Sequence, residues 1–260
     1  MQPGANVISL SGGKDSTAML LMMLERGEPI ADIMFFDTGW EFPQMYEHLE
    51  TLEQFMGRKI TRLGARLPLG VQTDKTPFDW MLSEQPVTKR GTDQIHSLGY
   101  GWPTMLRRWC TRLKQQALHA HLLALTHRRE MTLPLRHCIG FAADEGSRVN
   151  GVTKKDGSYH VQRYPLIEWD ITGSEALAYC KKRGFHWHGL YDHFSRVSCF
   201  CCPLQSLHEL SILRSHYPDL WQWMLEMESW LPEGKSRRFG HSTVSALEER
   251  FNDACIGTAV

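Results

Sequence analysis

Apolar positions along the chain follow two alternating periods. Val7, Ile8 and Leu10 form a short β-prone run that stops at Ser11-Gly12-Gly13. A helical pattern then starts with Ser16 and Thr17 and runs through Ala18, Met19, Leu20, Leu21, Met22 and Leu24. A two-residue period giving way to a 3.6-residue period predicts a strand feeding a helix. The theme repeats. Ile33 to Phe36 predicts a second strand, Pro43 to Met56 a helix opened by its proline, Lys59 to Leu63 a third strand, and Leu135 to Phe141 another. Strands alternating with helices predict an α/β fold with a doubly wound, mostly parallel sheet.

Elsewhere the pattern is less regular. Residues 64–106 carry Pro68, Pro77, Trp80, Pro86, Trp102 and Pro103 without clean periodicity, and are expected to be a long excursion on the substrate side. A helix is expected from Arg107 to about Leu125, and an exposed hairpin or loop over residues 150–161. Thr172 with Glu175 three positions later is a capping-box pattern, predicting a helix to about Arg183 that Gly184 ends. Two parts are expected: an α/β domain over residues 1–170, and a helical region over residues 171–260 packed on it.

Composition narrows the class. With 260 residues, 42% of them hydrophobic and including 9 Trp and 11 Phe, the chain can bury a large core. No apolar run approaches a membrane span and the start of the sequence lacks a basic-then-apolar leader, so a cytoplasmic protein with no membrane partner is expected. The 29 basic and 29 acidic residues balance, which removes any global attraction to polyanions. Basic residues do cluster at Arg107, Arg108, Arg112 and Lys114, at His127, Arg128 and Arg129, and at Lys235, Arg237 and Arg238. Each cluster is either a solvated face or part of a polyanion track.

The stretch Ser11-Gly12-Gly13-Lys14-Asp15-Ser16 carries the clearest chemistry. A glycine turn between a strand and a helix start turns backbone N–H groups inward and adds the positive end of the helix, which together bind anions. Lys14 adds a full charge, Ser11 and Ser16 add hydroxyls, and Asp15 can hold Mg²⁺ or a polar group. Neither the Walker A nor the Rossmann spacing is present. The complete string resembles the PP-loop of the N-type ATP pyrophosphatases, which implies that it binds the phosphates of ATP. Asp37-Thr38-Gly39-Trp40-Glu41-Phe42-Pro43 follows the second strand and resembles the second motif of the phosphoadenosine phosphosulfate (PAPS) reductase branch of that superfamily. By that resemblance Asp37 and Thr38 border the nucleotide. Asp144, Glu145 and Arg148 end the strand that starts at Leu135. They form a salt-bridged turn or contact Mg²⁺, phosphate or substrate, and the resemblance favours contact.

Seven cysteines in a chain expected to be cytoplasmic are not a disulfide framework. Cys199 and Cys202 have C-x-x-C spacing, which lets two thiolates reach one metal from a tight turn, with Cys201 between them. Cys110 is the natural distant partner, its thiolate favoured by Arg108, Arg112 and a helix end. Three or four sulfur ligands suit a 4Fe–4S cluster or a zinc ion. Cys110 with Thr111, Arg112 and Lys114, then the later C-x-x-C, resembles the cluster layout of adenylylsulfate reductases and of the DndC-like proteins of DNA phosphorothioation. Trp109 stands where those reductases have a second cysteine, leaving the fourth ligand open. Cys138, Cys180 and Cys255 are read as incidental.

The resemblance implies an ATP pyrophosphatase that uses ATP and Mg²⁺ to adenylate an acceptor, so that a sulfur species can displace AMP. Lys14, Asp15 and Ser16 would be catalytic: Lys14 and Ser16, with Gly12 and Gly13, would neutralise phosphate charge, and Asp15 would position metal or ribose. The acceptor would be nucleic acid, DNA before tRNA, with a sulfur donor such as a cysteine desulfurase; a homodimer is one option for assembly. A PAPS or adenylylsulfate reductase releasing sulfite is the alternative, and would use Cys255 as nucleophile. That residue lacks the Glu-Cys-Gly-x-His context of such enzymes. The second alternative is a regulator that binds nucleotide without turnover.

Overall fold

The computed structural model describes residues 5–127, 134–148, 160–234 and 237–257. Two compact units emerge, and each is interrupted in sequence. The first comprises residues 1–37, 42–64 and 114–197; the second comprises 38–41, 65–113 and 198–260.

The first unit is built on five strands: β1 (Asn6–Leu10), β2 (Ile30–Asp37), β3 (Thr61–Gly64), β6 (Leu135–Ile139) and β7 (His160–Arg163). Their order is β3-β2-β1-β6-β7, and every pairing is parallel. The chain therefore moves outward from β1 to β3 and then returns to the other side of β1. That reversal puts the switch point of a doubly wound sheet between β1 and β6, where ligands of open α/β sheets bind beyond the strand ends. β1 and β2 carry Val7, Ile8, Leu10, Ile33, Met34, Phe35 and Phe36 buried, the continuous apolar runs of strands covered on both faces.

Helix α1 (Lys14–Glu25) is buried from Ser16 to Met23 and packs along α6 (Gly173–Lys182). A helix apolar all round is an interior helix, which explains why its sequence lacks a polar stripe. α2 (Pro43–Met56) shows the opposite pattern. It buries Met45, His48, Leu49, Leu52 and Glu53 on one face, starts on Pro43 and ends at Gly57 with φ 61°. From α4 (Trp109–Thr126), Leu118, Leu122 and Leu125 pack against Val7, Met34 and Leu135. Each such side chain contributes about 1.5–3 kcal/mol by burial. The capping box of α6 is present: Thr172 accepts from the Glu175 N–H, and Glu175 accepts from the Thr172 N–H at 2.8 Å.

The second unit holds α3 (Pro77–Ser83), the antiparallel hairpin of β4 (Pro86–Thr88) with β5 (Ile95–Leu98), and the first turn of α4. It also holds the cysteine segment and α8 (Leu207–His216), α9 (Pro218–Ser229) and α10 (Val244–Gly257). The long excursion expected over 64–106 contains a helix and a hairpin. The helix is short, seven residues, too few for a period to register in sequence, and its start is fixed instead by Thr76, which caps the Asp79 N–H, and by Pro77. Its core is aromatic: Trp40 packs edge-on against Phe78 at 5.1 Å and Trp109 at 5.9 Å, and Trp102 meets Phe239 at 5.1 Å. The Trp40 indole N–H donates to Asp79 at 2.7 Å, so the buried ring leaves no unmet donor. The expected hairpin over 150–161 falls outside the described residues up to 159, and β7 pairs parallel with β6. Among the described residues no helix is long and apolar enough to cross a membrane.

Candidate functional site

The glycine loop sits at the switch point of the first unit. Gly12 takes φ 78°, a backbone conformation that only glycine adopts freely, and a side chain there would also strike Met45 Sδ at 2.2 Å. Ser11 N–H donates to Ser16 Oγ at 3.1 Å, and Ser16 Oγ donates to the Gly13 carbonyl at 3.1 Å. The two serines therefore tie the turn shut across the start of α1. Gly140, just after β6, lies so close that a Cβ would come within 2.7 Å of Ser16 Cα and 2.9 Å of Ser16 N. Glycine at 140 is what lets the neighbouring strand end approach the loop.

Charged groups converge on the same place. Lys14 Nζ pairs with Asp15 Oδ1 at 2.7 Å. Asp144, on the 3-10 turn Ala143–Arg148, accepts from the Gly173 N–H at 3.0 Å. A Cβ at Gly173 would lie 2.7 Å from Lys14 Nζ, 3.5 Å from Asp15 Oδ1 and 3.7 Å from Asp144 Oδ2. The space that a side chain at 173 would fill is therefore lined by one ammonium and two carboxylates. Burial raises the Asp15 carboxyl above its usual range, Lys14 opposes that shift, and Glu145 and Asp144 add to it. Carboxylates that raise one another's proton affinity in this way are the ligand type a hard cation such as Mg²⁺ takes. Arg148 lies beyond the described side chains.

Residues with no spacing relation to the loop brace it. The Trp187 indole N–H donates to the Gly12 carbonyl at 2.7 Å, and Trp187 stacks on His48 at 4.4 Å. His48 Nε2 lies 3.0 Å from Thr17 Oγ1, which donates to the same carbonyl at 3.3 Å. Burial lowers His48 to about 3, so this imidazole is neutral. The Tyr191 hydroxyl accepts from the Lys14 N–H at 2.7 Å, and the buried Cys180 thiol donates to the Lys14 carbonyl at 3.6 Å. Asp37 accepts from the Tyr46 hydroxyl at 2.8 Å in this unit.

The second unit carries the cysteines and, with them, Thr38. Cys199 Sγ lies 3.5 Å from Thr38 Oγ1 and donates to Glu41 Oε1 at 3.7 Å; Thr38 donates to the same oxygen at 2.9 Å. Cys202 N–H donates to the Cys199 carbonyl at 3.1 Å, closing the turn that C-x-x-C spacing predicts. Phe200 N–H donates to the Trp40 carbonyl at 2.9 Å, tying this turn to the Thr38–Glu41 segment. The thiols of Cys110, Cys199 and Cys202 lie within electrostatic reach of one another. Cys201 is buried, 1% exposed. Burial raises the thiols of Cys110, Cys199 and Cys201. This corrects the expectation for Cys110: its helix end does not offset burial, Arg112 lies over the Tyr100 ring, and Arg108 reaches Met105 Sδ at 3.1 Å. By ligand type alone, three thiols suit a thiophilic metal group. Among the described residues no three His, Cys, Asp or Glu side chains are arranged to hold a metal ion. Cys255 lies beyond the described side chains.

Glu41, Trp187, Tyr191 and His48 were not foreseen as site residues. Glu41 had a signal, since it falls inside the Asp37–Pro43 motif; the other three lie far from the loop in sequence.

The model of the phosphoadenosine phosphosulfate reductase domain matches residues 5–205. The chain belongs to the PAPS reductase domain family. That is a family of nucleotide-binding enzymes, and its chemistry links nucleotides to sulfur. Two curated relatives carry names that describe them as uncharacterized proteins. One, from Methanocaldococcus jannaschii, is 23% identical over 222 residues, covering 83% of this chain and 40% of its own length. The other, a 37.8 kDa protein from the gpa 5' region of Escherichia phage 186, is 25% identical over 250 residues, covering 82% of this chain and 71% of its own. The chain thus spans less than half of the archaeal relative. Among solved structures, PAPS reductase from Candida auris in its phosphate complex aligns with TM-score 0.49 at 15% identity, covering 76% of this chain and 82% of that one. The U34-tRNA thiolase NcsA from Methanococcus maripaludis, with its 4Fe–4S cluster, aligns with TM-score 0.42 at 14% identity, covering 96% and 73%.

Proposed function

We propose that this PAPS reductase-family protein is an ATP pyrophosphatase that adenylates an acceptor for sulfur transfer. The observation that carries the reading is the intact loop at the sheet switch point, with Lys14, Asp15 and Asp144 lining one space. An acceptor oxygen attacks the α-phosphorus of ATP, the bond to the β-phosphate oxygen breaks, and pyrophosphate leaves with the electron pair. Negative charge grows on the leaving pyrophosphate. The Lys14 ammonium would meet it, and a donor so placed is worth about 10²–10³-fold in other enzymes. Asp15, Asp144 and Glu145 would hold Mg²⁺, and Ser11 and Ser16 keep the turn closed around the phosphates. Asp37 and Thr38 remain the proposed border of the nucleoside.

Cys110, Cys199 and Cys202 would hold the metal group, with Cys201 as an additional sulfur. A 4Fe–4S cluster bound there, or zinc as the alternative, supplies a thiophilic centre for the sulfur donor. Glu41 and Thr38 hydrogen-bond Cys199 and hold it in place. The acceptor is nucleic acid, DNA before tRNA, and a cysteine desulfurase is the sulfur source.

The second reading, a PAPS or adenylylsulfate reductase, is favoured by the family match itself. The match ends at residue 205, so it does not extend to Cys255, the nucleophile that reading needs. Protein purified without oxygen would be assayed for pyrophosphate release from ATP with DNA or tRNA, and for sulfite release from PAPS or adenylylsulfate with thioredoxin. Pyrophosphate that disappears in Lys14→Ala supports adenylation. Sulfite without pyrophosphate overturns it.

A further inference from the structure

Trp187, His188 and Gly189 take φ of 48°, 48° and 84° in succession. Glycine adopts that left-handed region freely, but tryptophan and histidine do so only where their surroundings over-determine them. The surroundings here are the phosphate loop. Trp187, 1% exposed, donates to the Gly12 carbonyl, and two residues past the turn Tyr191 meets the Lys14 N–H at 2.7 Å. The Tyr191 ring is fixed edge-on against Trp187 at 4.9 Å.

Gly13 belongs to the same arrangement. Its φ is −71°, open to any residue, so backbone conformation does not require glycine there. A Cβ at 13 would lie 3.2 Å from the Tyr191 hydroxyl. Glycine at 13 makes room for the phenol.

The Lys14 N–H is one of the first amides of α1, donors left without a partner inside the helix and free for a phosphate oxygen. A phenol oxygen stands in that position. A tyrosine hydroxyl has lone pairs to accept with and one hydrogen to give. The Lys14 N–H uses a lone pair; among the described residues nothing accepts the hydrogen. Burial raises Tyr191 above the usual phenol range, so that hydrogen stays in place at neutral pH.

We infer that Tyr191 is a phosphate-contacting residue: its hydroxyl accepts from the Lys14 amide and donates its own hydrogen to a phosphate oxygen of the nucleotide. The inference rests on the reading of the loop as the nucleotide site. The strained turn is then the device that delivers the phenol, and Gly13 the gap that admits it.

The test is titration calorimetry of the full chain with Mg·ATP, with inorganic pyrophosphate and with adenosine. The proteins are the wild type, Tyr191→Phe, Lys14→Ala and, as a control, Tyr179→Phe, whose hydroxyl donates to Glu25 at 2.6 Å. Tyr191→Phe should weaken ATP and pyrophosphate about 10- to 150-fold, the worth of one hydrogen bond to a charged group. Adenosine binding and the melting temperature should stay unchanged, and Tyr179→Phe should match the wild type. A 3-fluorotyrosine at position 191, a stronger donor of nearly the same shape, should restore or exceed wild-type affinity, which a purely packing role would not produce. Wild-type or tighter pyrophosphate binding by Tyr191→Phe overturns the inference while leaving the loop reading intact. Failure of the wild type to bind either ATP or pyrophosphate overturns both.

Discussion

The glycine loop and the cysteine turn are built in opposite ways. The loop is one contiguous stretch, Ser11 to Ser16, closed by its own serines, with Gly140 letting a neighbouring strand end approach its backbone. The cysteine turn is assembled from segments distant in sequence: Thr38–Glu41, Cys110 and Cys199–Cys202. The first is a geometry set by main-chain conformation. The second is a set of soft side chains that tertiary packing brings together. The lesson is that a backbone turn can be written locally, whereas a cluster of thiols needs the fold before it exists.

The largest predicted effects separate the two. Lys14→Ala should lower pyrophosphate release by about 10²–10³-fold, while iron or zinc content, measured by elemental analysis, stays at wild-type level. Cys199→Ser should do the reverse, losing the metal while ATP affinity in calorimetry stays within about twofold. Loss of both properties in either variant would break the comparison.

Next come the glycines. Gly140→Ala forces a Cβ to 2.7 Å from the Ser16 Cα, a backbone contact that cannot swing aside, and should cost roughly 1–3 kcal/mol as overpacking does. Gly146→Ala, with nothing within 4 Å, should be nearly neutral. Denaturant midpoints measure the difference.

Acid should weaken the first unit before the second. Buried His48 has a folded value of about 3 against an ordinary 6.5, so the unfolded chain takes up the proton first. Its contribution is complete above pH 6.5 and is lost as pH falls toward 3. Glu248 is lowered to about 2 from 4.5, mainly by its hydrogen bond from Arg214, which donates at 2.7 Å. Its smaller, solvent-screened contribution is lost only between pH 4.5 and 2. Amide exchange should show α2 opening at higher pH than α8 and α10. His48→Gln should remove the upper step, and a single concerted acid transition in the wild type would contradict this order.

The αβ alternation, the parallel sheet, the glycine turn and the capping box at Thr172 were legible in the residues alone, because each depends on a local period or on a residue whose backbone preference is intrinsic. The C-x-x-C turn was legible for the same reason, since its closure is a bond from Cys202 to Cys199. What braces those motifs was set by packing between distant segments. Gly13 carries no conformational demand of its own, and its role is visible only against Tyr191, which arrives from 178 positions along the chain. Trp187 and His48 read as ordinary core aromatics until the Gly12 carbonyl stands between them. Glu41 becomes part of the thiol site because Phe200 bonds the Trp40 carbonyl and sets Cys199 beside its carboxylate. Local conformation is encoded in neighbouring residues and can be read from them. A hydrogen bond between distant residues has no local trace, because it depends on where packing, rather than spacing, places its two ends.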